Sequence, residues 1–178
     1  MNNWFDIVSR GCDVQRFHTS KLLHSESVGE HSFRCALFAD YLHRKITMRH
    51  SYNVVMYMLL HDLPECDMGD MPHGAKKSSG MREALDQFEQ TWCYENLPSN
   101  SQYQKIMYHS VLTDTESIIC FYVDQYDACF KFIREYNLGN RNVYNNIFSC
   151  IDVMNSVAGD NPVLNNETRK LQETINGA

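Results

Sequence analysis

The stretch Val54-Val55-Met56-Tyr57-Met58-Leu59-Leu60 is apolar nearly all round and runs straight into His61-Asp62. A helix with no polar face belongs at the centre of its domain. A neutral imidazole and a carboxylate that emerge together from such a helix can hold a divalent ion if distant segments bring further ligands. Pro64 removes a backbone donor three residues after His61, so the helix, over about 52–65, is expected to end or kink there.

The flanking segments also read as helices. Phe33, Leu37, Phe38, Tyr41 and Leu42 recur at three- and four-residue steps, which predicts a helix over 29–46 with these residues inward and His31 in its first turn. Thr113-Asp114-Thr115-Glu116 has capping-box spacing and predicts a long helix to about 137. Its inner face would carry Ile119, Val123, Tyr126, Phe130 and Ile133, beside a stripe of Asp124, Asp127, Ala128 and Lys131. Further helices are expected over 3–10, ending near Gly11, and over 81–96, capped by Ser79 with Leu85, Phe88, Trp92 and Cys93 inward. A short one should follow Pro98-Ser99-Asn100 as far as Leu112, then one over 140–157 and a last one opened by Asn161-Pro162.

Two segments lack periodicity. Residues 13–28, with Arg16, His18, Lys21 and His24, read as a long loop, and loops of that length are more often functional than idle. Residues 67–79 hold Gly69, Pro72 and Gly74 and read as a second loop. No strand-type alternation and no repeat is present. The expectation is an all-α bundle forming a single domain over 1–178, since 178 residues suffice for one core and make two unlikely to close.

A formal charge of −6 argues against a protein that coats nucleic acid, whose surface would cluster Lys and Arg. No run approaches the ~20 apolar residues of a membrane span, and Met1-Asn2-Asn3-Trp4 is no basic, apolar leader, so a soluble cytoplasmic protein is expected. The seven cysteines are scattered, odd in number and never in a C-x-x-C arrangement, and they read as reduced thiols that mostly fill the core.

His31, His61, Asp62 and Asp124 are the candidate metal ligands, drawn from separate helices apart from the adjacent pair. Two imidazoles and two carboxylates suit Mn, Fe, Co, Zn or Ni and leave positions open for water, as a catalytic site requires. Glu65 follows His61 by four residues and shares its face if the helix persists.

Glu30-His31-Ser32, His61-Asp62-Leu63-Pro64-Glu65, Gly69-Asp70-Met71-Pro72 and Asp124 together resemble the H…HD…D pattern of HD-domain phosphohydrolases. The likeness is greatest to the small bacterial 5'-deoxynucleotidases and the phage dATP triphosphohydrolases, and it spans about residues 16–136. It implies an all-α, HD-type enzyme with one divalent ion (Co, Mn, Zn, Fe, Ni or Mg) held by His31, His61, Asp62 and Asp124. Asp127, on the same stripe, is the competitor of Asp124. His73 and His109 are the histidines left over for a second metal, which the single ligand set disfavours.

The resemblance further implies that Glu65 and Asp70 orient the attacking water or protonate the departing 5' oxygen. Arg16 and Lys76 would bind the phosphate, with Lys77 as an extra cation. Phe17 stands where the monophosphatases carry Trp; its ring would crowd a 2'-hydroxyl and leave it unpaired. The expected activity is cleavage at the 5' carbon of a purine deoxynucleotide, with dATP ahead of a broad 5'-deoxynucleoside monophosphatase. A catalytically silent nucleotide-sensing scaffold is the reading from another class. Homo-oligomers, dimers or larger rings, are implied, with the helix over 140–157 as a candidate contact.

Overall fold

The computed structural model describes residues 3–72, 76, 80–99, 101–107 and 111–175. Helices α1 (Trp4–Asp13), α2 (Val28–Thr47), α3 (Tyr52–Leu60), α4 (Glu65–Met68), α5 (Met81–Asn96), α6 (Gln102–Met107), α7 (Asp114–Asn137), α8 (Tyr144–Ala158) and α9 (Pro162–Glu173) follow in order, with a 3-10 turn at Arg141–Val143. Among the described residues there is no strand, and one isolated bridge pairs Gln15 with Ser27. The all-α expectation is met.

Local chemistry sets the helix starts. Ser27 and Glu30 form a reciprocal capping box at α2, and Thr113 and Glu116 form the expected one at α7. Ser51 caps α3, and Asn161 with Pro162 opens α9. Glu116 also accepts the hydroxyl of Ser51, so the starts of α3 and α7 are joined through one buried carboxylate.

The core lies where α2, α3, α7 and α8 meet. Val54 and Met58 of α3, Ile119 and Val123 of α7, and Ile147 and Met154 of α8 are wholly buried, and Leu164 and Leu171 of α9 close it. Cutting Met58 or Ile119 back to Ala would cost about 2–5 kcal/mol. A smaller cluster of Ile7, Leu60, Leu63, Trp92 and Cys93 binds α1 and α5 to the end of α3. Seven free cysteines are present, five of them buried, as read from the sequence.

Several expectations need correction. Helix α3 stops at Leu60, and the chain passes through a tight turn, with Leu63 bonding back to Leu60 and Glu65 to Asp62, before α4 takes in Asp67 and Met68. Asp67 therefore belongs to a helix, where it accepts from Arg10 at 2.6 Å and from the Trp92 indole at 2.6 Å. Helix α1 continues through Gly11 to Asp13. The glycine serves a close approach, because a Cβ there would strike the Leu63 side chain. Gly80 occupies the position before α5 at φ 77°, while Ser79 lies outside the described residues.

The inward faces also differ. Phe33, Leu37 and Tyr41 of α2 are exposed, and its buried stripe is His31, Ser32, Cys35, Ala36, Ala39 and Leu42. Small side chains let α2 approach α3 and α7 closely, and large rings would hold them apart. Phe130 of α7 and Phe88 of α5 sit at the surface too, while Phe132 is inside.

Candidate active site

The first turn of α2 puts His31 at zero exposure under α7 and beside the turn after α3. His31 Nε2 lies 3.4 Å from His61 Nε2, 3.5 Å from Asp62 Oδ2 and 3.4 Å from Asp124 Oδ1. His61 Nε2 and Asp62 Oδ2 are 3.3 Å apart. Donor atoms each about 2.1 Å from one ion in tetrahedral array lie about 3.4 Å from one another, so the spacing of His31, His61 and Asp62 fits a shared divalent cation, and Asp124 joins this group through its contact with His31 alone.

The rings are aimed from behind. His61 Nδ1 is 3.0 Å from the Met58 carbonyl, which can only accept, so Nδ1 is the donor there and Nε2 is left facing His31 and Asp62. His31 Nδ1 is 2.8 Å from Asp127 Oδ2, and Asp127 in turn accepts from Arg34 at 2.7 and 2.9 Å. Asp124, preferred from the sequence, faces Nε2, whereas its competitor Asp127 supports the far side of the ring. A grouping of His31, Cys35 and Asp127 also lies within ligand reach. There, however, Arg34 holds both Asp127 oxygens, and burial pushes the Cys35 thiol up to about 11, away from the thiolate a metal needs.

The electrostatics favour a cation. Burial opposes charge on His31, but Asp124 and Asp127 outweigh it and lift its pKa well above the ordinary value. Burial would raise Asp62 and Asp124, yet the two histidines and Arg16 hold both below the usual carboxylate range. Glu65 behaves oppositely. It is 5% exposed, its Oε2 has no hydrogen-bond partner, and burial, then the charge of Asp62, push it up to about 8 against the pull of Lys76.

Beside these groups opens a cleft of about 560 Å³ lined by Arg16, Phe17, Asp70, Lys76, Asp124 and Phe132, among others. Arg16 is 3.7 Å from Asp124 and 3.4 Å from Glu26. Lys76 Nζ is 3.6 Å from Glu65. Asp70 Oδ2 accepts the Phe17 amide at 2.6 Å, which ties Phe17, at φ 56°, in a conformation that costs an L residue energy. The Phe17 ring rests against Phe132, centroids 5.2 Å apart. Lys77, His73 and His109 lie outside the described residues.

The sequence model of the family described as 5'-deoxynucleotidase YfbR-like matches residues 3–158. The chain belongs to the YfbR-like family. No curated protein sequence matches it significantly. Three solved structures share the fold of this YfbR-like chain. An HD phosphohydrolase of cyanophage S-2L (DatZ), bound to dA and one catalytic Zn2+ ion, aligns with TM-score 0.72 at 13% identity, over 100% of this chain and 99% of that one. A conserved hypothetical protein from Pyrococcus furiosus aligns at 0.67 and 19% identity, over 86% and 97%. An HD-domain phosphohydrolase from Listeria innocua aligns at 0.63 and 18%, over 98% and 97%. The YfbR-like chain is an HD phosphohydrolase that acts on deoxynucleotides.

In this YfbR-like chain the structure adds residues that sequence reading missed. Arg34 bridges Asp127 to Glu26, and Glu26 meets Arg16, so His31 and Arg16 are bound into one charged ring. Arg34 stands one turn after His31, but its partner Asp127 is 93 residues away, and Glu26 offered no signal. Asn145, Asn146 and Ser149 of α8 line the far part of the cleft, where the sequence reading placed only a subunit contact.

Proposed function

We propose that the chain hydrolyses the 5' phosphoester of a purine 2'-deoxynucleotide, with dATP as leading substrate and deoxyadenosine and triphosphate as products. The observation that carries this reading is the meeting of His31, His61 and Asp62 donor atoms 3.3–3.5 Å apart, with Asp124 3.4 Å from His31, beside a cleft that holds Arg16 and Lys76. The dA and zinc named for the phage structure, whose length this chain spans almost completely, lend support.

His31, His61, Asp62 and Asp124 are assigned as ligands of one divalent ion, among Zn, Co, Mn, Fe, Ni and Mg. The chemistry such an ion supplies is activation of water and neutralisation of phosphate charge. Arg16 and Lys76 bind the oxygens of the α-phosphate. As water, giving one proton to solvent, bonds to phosphorus and the bond to O5' breaks, Glu65, which holds a proton at neutral pH, gives it to O5' and regains one from solvent. Asp70, one oxygen of which is taken by the Phe17 amide, is assigned to hold that loop rather than to move a proton. The Phe17 ring leaves a 2'-hydroxyl without a partner and so favours deoxyribose.

One observation favours a second reading, a 5'-deoxynucleoside monophosphatase of broad base range. Among the described residues the cations of the cleft are Arg16 and Lys76, enough for a single phosphate. Product analysis separates the two: dATP should release triphosphate and deoxyadenosine, whereas inertness toward every deoxynucleoside triphosphate, with turnover of monophosphates, would replace the first reading by the second. Asp62→Ala should abolish both activities; a scaffold that only senses nucleotides would have no turnover to lose.

A further inference from the structure

The loop from α1 to α2 carries Arg16 and Phe17, and no regular structure holds its middle. Its two ends are tied to each other: Arg16 donates to the Glu26 carbonyl and Val28 to that of Val14, each at 2.8 Å. Between them the backbone groups of Lys21, Leu23 and His24 need partners.

All three find them at the end of α7 or just beyond it. Glu135, 1% exposed, accepts the amides of Leu23 at 2.6 Å and His24 at 3.0 Å. Lys131, one turn earlier, donates to the His24 carbonyl at 2.8 Å. Asn140 donates to the Lys21 carbonyl at 2.9 Å and to Glu135 at 3.0 Å. Lys131 and Glu135 are 3.9 Å apart, so neither buried charge is left alone. A buried pair of this kind is a weak source of stability. What it supplies here is one fixed course for an irregular segment. None of the three residues lines the cleft, but Phe17, Thr19 and Ser20, just before the clamped stretch, do.

We propose that Glu135, with Lys131 and Asn140, is a positioning device that sets the cleft-facing residues 17–20 against the sugar and phosphate of the substrate. This rests on the reading above that Arg16 and Phe17 bind a deoxynucleotide. The clamp stands on the helix that also carries Asp124, so loop and ligand share one rigid frame.

The test uses Glu135→Gln and Lys131→Met in the full chain. Gln retains one acceptor but turns an NH2 toward the loop amides, while Met removes both the bond to the His24 carbonyl and the charge that faces Glu135. The expected result in both is a rise in KM for the deoxynucleotide of about tenfold, the worth of one charge-assisted hydrogen bond, with kcat within about threefold. The preference for deoxyribose over ribose should fall, while stoichiometric binding of Zn2+ or Co2+ by calorimetry stays unchanged. Hydrogen exchange at Leu23 and His24 should quicken in each variant. If both variants bind metal and KM and sugar preference do not move, the proposal is overturned while the assigned activity stands. Wild-type protein inert toward every deoxynucleotide would remove the underlying reading and the proposal with it.

Discussion

Asp127 Oδ2 lies 2.8 Å from His31 Nδ1, on the side of the ring away from Asp124. A carboxylate in that place fixes the tautomer and raises the basicity of the nitrogen that faces the metal. Asp127→Ala should therefore weaken divalent-ion affinity about 10–100-fold, read by calorimetry, with a smaller loss in kcat at saturating metal. Asp124→Ala should abolish turnover at any metal concentration. Equal behaviour of the two variants would exchange or merge their roles.

Glu65, proposed as the general acid, should set the alkaline limb of activity. A general acid lifted to about 8 works while protonated, so kcat should fall as pH rises through about 8, and Glu65→Gln should remove that limb along with most of the rate. Stability gives an independent reading. With a folded-state pKa raised above the ordinary carboxylate value, the native state binds the proton more tightly than the unfolded chain, so stability falls as pH rises from about 4.5 toward 8. Glu65→Gln should thus raise the unfolding temperature of the metal-free protein more at pH 8.5 than at pH 5. A shift independent of pH would mean that Glu65 titrates normally.

Phe17 is assigned to sugar selection through its ring. Phe17→Ala should let ribonucleotides compete, narrowing the ratio of kcat/KM for deoxy over ribo substrates by about tenfold, the scale of one unpaired hydroxyl. An unchanged ratio would move selection elsewhere in the cleft.

The outward face of α2 bears on assembly. Phe33 and Leu37 are each 60% exposed, and beside them a hollow of about 170 Å³ is lined by Arg34, Phe38, Tyr126 and Phe130. Projections and a hollow on one face suit a two-fold contact between copies of this chain. Sedimentation should give a mass above that of one chain, reduced to the monomer by Leu37→Glu. A monomeric wild type would leave this face without that role.

The fold class, the caps at Thr113 and Asn161 and the four residues now found within 3.5 Å of His31 or one another were legible because each leaves a local pattern: a capping spacing, a proline, an apolar run ending in His61-Asp62. The buried face of α2 was not. Periodicity weighs large apolar side chains, whereas close helix contact selects Cys35, Ala36 and Ala39 and leaves Phe33 and Leu37 outside. The support behind the site was equally hidden, since Arg34 meets Asp127 across 93 residues and Glu135 meets Leu23 across 112, pairings that no window of sequence contains.

X-ray absorption on protein loaded with one equivalent of Zn2+ or Co2+ probes the central claim, a single ion held by two imidazoles and two carboxylates. The expected spectrum shows only nitrogen and oxygen at about 2.0–2.2 Å, with the imidazole signature of two histidines that drops to one in His61→Ala. A sulfur neighbour at about 2.3 Å would place the ion with Cys35 and Asp127 instead, and a spectrum indifferent to His61→Ala would contradict the assigned site.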